Sequence, residues 1–478
     1  MFADNSELYS LAAIITNKYI ANNYQSYPTN FQMRYITTID FILFPIYLFF
    51  LYFLIKFTAR KYGSTQLRKY FIVAFFLHMS GSFLYAMLIQ FYYGYGDSFG
   101  FFAGSDFIRD YISKGGNPLQ IFFTSSESLG KLQNMFMNSG LELPTGISSE
   151  ANFTIMKISA ALSYISFNSY LVISLFFGLF SFAGLWKLFG TFNQILDKKA
   201  EKILAYSILY TPSIFFWGSG LMKDSVCLGL TGFIVYFFYK LFVLKKIKIT
   251  NMLLLFLFVY LLFILKSYIA SILISSVSLS YVIFILKKSR QNVIKLLTVS
   301  TVILVSAVFL IISLSSTINS ILEESKGQIE VFKGVYANSE GEDFNSLSGL
   351  KPGEFDLSLS SFLLRSPLAM FSTLYRPFLW ESEKPIVLLS ACESLIMLVV
   401  LLYVLFKCRV FKFFYFVFTD PYIFFAFIFS LLFSAIVGFT TFNFGTLVRY
   451  RLPILPFYFF MLIAIYTKNT AMRLASKK

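Results

Sequence analysis

The 478 residues are 57% hydrophobic and only 13% charged, with a mean hydropathy of +0.70. Soluble globular domains carry about a quarter charged residues, so this composition excludes a soluble chain and points to an all-α polytopic membrane protein. The net charge of +16 lies mostly in short loops between apolar runs, the pattern of a membrane-topology signal and not of a nucleic-acid groove.

Met1 to Ile36 is polar and mixed, with no basic start followed by an apolar core, so no cleavable signal is expected and the first span does the targeting. Within it, "LYSLAAIITNKYIA" has the composition of an interfacial helix. At about 20 apolar residues per span, the chain offers about eleven. They fall near residues 38–57, 70–92, 169–189, 203–221, 225–244, 251–266, 268–286, 294–314, 386–406, 421–439 and 452–467. A tight turn at "LKSY" divides the sixth from the seventh. Basic clusters follow every second span: "KFTARKYGSTQLRK", "DKKAEK", "KKIK", "KKSRQNVIK", "KCRVFK" and the terminal "KNTAMRLASKK". With simple alternation all six share one side, which the positive-inside rule makes cytoplasmic.

The opposite face collects the unusual segments of what reads as one membrane domain. Two loops there, residues 93–168 and 315–385, far exceed ordinary connections. The first holds "DFIRDYI" and "LGKLQNMF", both with helical spacing. The second holds the polar "SEGEDFNSLSGLKPGEFD", expected to be mobile, and then the amphipathic "LSSFLLRSPLAMFSTLYRPFLWE". No Gly-rich phosphate loop, zinc motif, internal repeat or heptad is present, nor a soluble nucleotide-binding domain. Cys227, Cys392 and Cys408 read as small core residues, and the single histidine, His78, as a packing residue inside a span.

The residues that can carry chemistry gather on that face. In "YYGYGDSFGFF", Asp97 closes a span among glycines and aromatics; it can accept a proton from a hydroxyl, help bind a metal, or cap a following helix. Asp106 is expected to cap "FIRDYI". In "WGSGLMKDS", Lys223 and Asp224 either neutralise each other at a helix end or leave the lysine to hold a phosphate. Lys266, deep in apolar sequence, either snorkels or faces a polar cavity. "LYRPFLWESEKP" brings Arg376, Trp380 and Glu381 before a span that carries Glu393, and a structural Arg–Glu pair is as consistent with them as a functional one. "LVRYRLP" sets Arg449 and Arg451 on a face usually poor in basic residues, where guanidinium groups suit a lipid phosphate or pyrophosphate. Asn152 heads an "NFT" sequon, which matters only in a eukaryotic secretory pathway.

In the layout of most of its length the chain resembles the multi-spanning GT-C glycosyltransferases, through "YGDSFGFFAGSDFI" and "VRYRLPILPFYFFMLIAIY". The resemblance implies inverting transfer of a sugar from a polyprenyl-phosphate donor to a glycan, lipid or protein acceptor at the outer face of a bacterial cytoplasmic membrane. It gives Asp97 the role of base and Arg449 and Arg451 that of phosphate ligands; Lys223, Asp224, Lys266, Arg376, Glu381 and Glu393 complete the expected substrate site. No cofactor is required by this reading, and a divalent metal, Mg or Mn, stays open. The acidic loop follows the second span where the family has it after the first, and no second acid pairs clearly with Asp97. "PSIFFWGSGLMKDS" and "LYRPFLWE" are also similar to segments of bacterial polysaccharide repeat-unit polymerases, which use arginines on an undecaprenyl-pyrophosphate donor. A transporter or flippase is the third reading, and the missing repeat tells against it.

Overall fold

Hydrocarbon offers no partner for a backbone N–H or C=O, so long apolar runs must satisfy these groups within a helix. The computed structural model describes residues 35–288, 301, 303 and 359–476, except 95, 142, 144, 145, 383, 384, 442 and 443. Among these residues every regular element is helical.

The first half contains α1 (Thr38–Ala59) and α2 (Thr65–Leu88), the latter continued by a π-helical turn, Ile89–Tyr93. Four helices then fill the first long loop: α3 (Asp97–Ser113), α4 (Pro118–Phe123), α5 (Leu129–Asn138) and α6 (Glu150–Ser163). They lead into α7 (Tyr170–Ile195), α8 (Glu201–Leu209), α9 (Pro212–Trp217) and α10 (Lys223–Phe238) with its own π turn, Tyr239–Val243. Next come α11 (Ile249–Leu265) and α12 (Ser267–Lys288). The second half contains α13 (Leu359–Tyr375), α14 (Pro385–Cys408), α15 (Val410–Thr419), α16 (Pro421–Thr440), α17 (Phe444–Tyr450) and α18 (Leu455–Ala475).

Among the described residues, seven stretches are long and apolar enough to cross a membrane: Thr38–Ala59, Thr65–Tyr93, Tyr170–Ile195, Lys223–Val243, Val387–Cys408, Pro421–Phe439 and Phe444–Ala475. The other four expected spans fare differently. Residues 203–221 form two short helices, because Pro212 has no N–H to continue α8 and instead begins α9. Residues 251–266 and 268–286 are the shorter apolar helices α11 and α12, divided at Lys266. Residues 294–314 lie outside the described set, as do the interfacial helix expected near the N-terminus and the polar part of the second long loop. "DFIRDYI" and "LGKLQNMF" lie in α3 and α5. Asp106 does not cap a helix; α3 has already begun at Asp97, and Asp106 pairs within it with Arg109 at 3.3 Å. Cys227 and Cys408 are buried, but Cys392 is exposed on α14. His78 is fully enclosed on α2, with Nδ1 3.0 Å from the Ala74 carbonyl.

Burial ranks the spans. The apolar window of α1 is 11% buried, and Phe49, Phe50 and Phe53 point outward as a lipid-facing surface would. The window of the last span is 89% buried, with α18 enclosed by α8, α14 and α16. Helix α7 is the other central member and packs on α1, α2 and α10. Its approach to α10 requires small residues: a Cβ on Gly184 would lie 2.0 Å from the Gly229 carbonyl oxygen.

Two chain breaks meet inside the bundle. Thr211 Oγ1 donates to the Ser207 carbonyl at 2.7 Å, and the Ser213 N–H at the start of α9 donates to Glu393 Oε2 at 3.1 Å. The last span breaks between α17 and α18, at Leu452–Ile454, and there the Arg451 side chain turns inward with no exposure. Arg451 pairs with Glu393 at 3.5 Å and donates to Ser394 Oγ at 2.7 Å and to the Arg376 carbonyl at 3.1 Å. A Gly184→Val variant should prise α7 from α10 and cost about 1–3 kcal/mol, read as a lower unfolding midpoint of the purified protein in detergent.

Candidate functional site

The glycines before Asp97 serve the backbone. The π turn that ends α2 closes on Gly94 at φ +72°, and Gly96 adopts φ +153°, a value side-chain-bearing residues rarely take. That turn delivers Asp97 as the first residue of α3. The start of α3 is fixed by Ser98 Oγ, 2.6 Å from the buried Tyr170 hydroxyl, and by Phe99 and Phe102 packing on the same ring. The Asp97 carboxylate itself stays 61% exposed.

Beneath it lies a line of alternating charges. Arg449 Nη2, on α17, donates to Asp97 Oδ2 at 3.4 Å and to Asp224 Oδ2 at 3.2 Å. The other oxygen of Asp224 receives Lys266 Nζ at 2.5 Å. Side-chain exposure drops from 61% for Asp97 to 23% for Arg449 and is lowest at the inner pair, 5% for Asp224 and 10% for Lys266. Asp224 occupies the first turn of α10, where a helix N-terminus favours an anion. Lys266 occupies the kink between α11 and α12, with its ammonium 4.1 Å from the centre of the Tyr450 ring. Four sequence-distant positions thus converge, and Lys266 faces a polar partner instead of snorkelling.

Lys223 joins from the side. Its ammonium donates to Asn152 Oδ1 of α6 at 2.9 Å and lies 5.9 Å from the centre of the Phe101 ring. Asn152, seen in the sequence only as a sequon, therefore ties the first long loop to the charged line; nothing local in the sequence marks that contact. Below it, the Lys157–Glu150 pair at 3.3 Å braces α6. Burial raises the Glu150 carboxyl, but the Ser126 N–H, the neighbouring hydroxyls and Lys157 outweigh it and hold it below the usual range.

The remaining predicted residues form a second group. Arg376 and Glu381 pair with each other, with Arg376 Nε 3.1 Å from Glu381 Oε2, and the Phe378 N–H donates to that same oxygen at 2.8 Å. The Arg376 guanidinium also lies 5.2 Å from the centre of the Phe444 ring at the start of α17. Glu393 is taken by Arg451 and the Ser213 N–H, so neither it nor Arg451 faces an open surface. These four residues hold the frame around α17; Asp97, Arg449, Asp224, Lys266 and Lys223 form the site.

A divalent metal does not fit this donor set. The two carboxylates meet through Arg449, and the second oxygen of Asp224 is occupied by Lys266, so cations of the chain stand where a dication would bind. Among the described residues no group of three His, Cys, Asp or Glu side chains converges on a metal position.

No family model matches the chain, and no curated protein and no solved structure matches it either.

Removing the buried member and the exposed member of the line should have unlike effects on stability. Asp224→Ala strands the buried Lys266 ammonium and removes the deeper partner of Arg449, and should cost about 3–5 kcal/mol. Asp97→Asn breaks one exposed pair and should cost about 0–1 kcal/mol. Unfolding midpoints of the two purified variants check the contrast.

Proposed function

We propose that the protein is a membrane glycosyltransferase that moves a sugar from a polyprenyl-phosphate donor to an acceptor hydroxyl at the outer face of the membrane. The observation that carries this reading is an exposed carboxylate, Asp97, set 3.4 Å from an arginine that is itself anchored on a buried acid. A general base needs access to a substrate proton, and a leaving phosphate needs fixed positive charge beside it.

The charges agree with that division of labour. Lys223, Lys266 and Arg449 bring three positive charges against the two negative ones of Asp97 and Asp224, leaving the cluster one positive charge in excess. A phosphodiester, with one negative charge, balances it. In the proposed reaction Asp97 accepts the proton of the acceptor hydroxyl as its oxygen bonds to the anomeric carbon. The bond from that carbon to the phosphate oxygen breaks, and its electron pair leaves with the polyprenyl phosphate, held by Arg449 and Lys223. Attack opposite the leaving group inverts the anomeric centre. Acceptor access through the first long loop fits the placement of α3 and α6 beside the site.

The polymerase reading needs more arginine than the site offers, since Arg376 and Arg451 are engaged by Glu381 and Glu393. Transport is favoured by one observation, the pair of helix breaks that meet at Glu393. Both breaks are closed by hydrogen bonds and enclose no charge without a partner ion.

A gel profile of surface glycans from cells lacking the protein, complemented with wild type or Asp97→Asn, tests the reading. Glycosyltransfer predicts polymer of normal length with one sugar missing, restored by wild type and not by the variant. Collapse to single repeat units would support the polymerase, and full restoration by a stably expressed Asp97→Asn would remove Asp97 from the chemistry.

A further inference from the structure

We propose that Asp97 and the donor phosphate compete for Arg449, so that donor binding frees the carboxylate oxygen nearest the phosphate for the acceptor. The inference rests on the glycosyltransferase reading and adds to it a competition for one cation.

Arg449 Nη2 contacts two carboxylates that differ in how easily each can leave. Asp224 is 5% exposed, lies at 3.2 Å and is also held by Lys266. Moving it would strand the buried Lys266 in an apolar bundle. Asp97 is 61% exposed, lies at the longer 3.4 Å and hangs from the first residue of a helix just past Gly96. Only Asp97 can withdraw into water at little cost. Arg449 is 23% exposed, while its Nε is buried and has no hydrogen-bond partner. An anion entering beside Asp97 therefore meets a partly exposed guanidinium with one dispensable partner.

Nη2 has two N–H donors, and each already serves one carboxylate, so a phosphate oxygen that bonds it displaces the more loosely held Asp97. A guanidinium also matches phosphate geometry with paired donors, which one oxygen of Asp97 at 3.4 Å does not use. Until that exchange, Oδ2 of Asp97 is directed at Arg449. After it, that oxygen is free beside the anomeric carbon. Donor binding thus turns the carboxylate oxygen nearest the phosphate site towards the acceptor. Asp97 and the donor phosphate compete for one cation, so removing the charge of Asp97 must strengthen donor binding even as it stops turnover.

The test uses the full-length protein in nanodiscs of zwitterionic lipid, titrated with a sugar-free polyprenyl phosphate and, as control, the polyprenol lacking phosphate. Asp97→Asn is expected to bind the lipid phosphate about two- to fivefold tighter than wild type, the scale of one exposed ion pair. Asp110→Asn, the same charge change at an exposed position of α3, is expected to leave binding unchanged, and Arg449→Gln to weaken it more than tenfold. Tighter binding is a gain that structural damage does not produce. Equal or weaker binding by a folded Asp97→Asn overturns the exchange while leaving the phosphate site standing. A wild type that does not distinguish the phosphate from the polyprenol overturns the phosphate site and the exchange together.

Discussion

A carboxylate buried in an apolar bundle must be paired, and Asp224 is the point on which this structure turns. Its two oxygens are divided between Lys266 and Arg449, so one residue at the start of α10 holds the kink between α11 and α12 and the broken final span. Lys266, the more deeply buried of the two cations, would be costly without it. The opposite edge of the arrangement is loose because Asp97, on the water side of Arg449, bears almost none of that burden. A rigid buried half and an exposed half follow from the same gradient of burial, and the division suits a site whose phosphate ligands stay fixed while its base exchanges partners.

Arg449 and Arg451 show how the broken span sorts side chains. They stand two residues apart at the end of α17, where the helix gives way to a turn followed by Pro453 and Pro456. Arg449 meets the carboxylates of Asp97 and Asp224, whereas Arg451 points into the bundle and closes on Glu393, Ser394 and the Arg376 carbonyl. The inner arginine ties α9, α14 and α17 together and so sets the position from which the outer one works. Arg376 does the same from outside, pairing with Glu381 and resting on Phe444.

Seven of the spans were legible because twenty apolar residues in a row have few alternatives in lipid. Hydropathy is blind to Pro212, which breaks residues 203–221 without making them more polar, and it cannot mark where Lys266 kinks a continuous apolar stretch. Asp97, Lys223, Asp224, Lys266 and Arg449 stood out as charges on the edge of apolar runs. Their mutual pairing was not legible, since it joins positions up to 352 residues apart. The sequence also gave no means of separating Arg449 from Arg451. Asp40 carries no distinguishing mark in the sequence, yet it is buried and accepts from the Ser169 hydroxyl and the Leu171 N–H, pinning the start of α7 to α1. It reads as an ordinary first-turn acid, and only the packed structure supplies its partners.

The central claim is that Asp97 acts as the base beside a fixed cationic phosphate site, and chemical rescue tests it most directly. Membranes carrying Asp97→Ala or Arg449→Ala would be assayed for sugar transfer from the cell's own lipid-linked donors, with and without added formate. The account predicts that formate restores transfer to Asp97→Ala, because a small carboxylate can enter the vacated exposed position, and does nothing for Arg449→Ala. Transfer by Asp97→Ala without formate, or no recovery with it while the variant remains folded, would contradict the account.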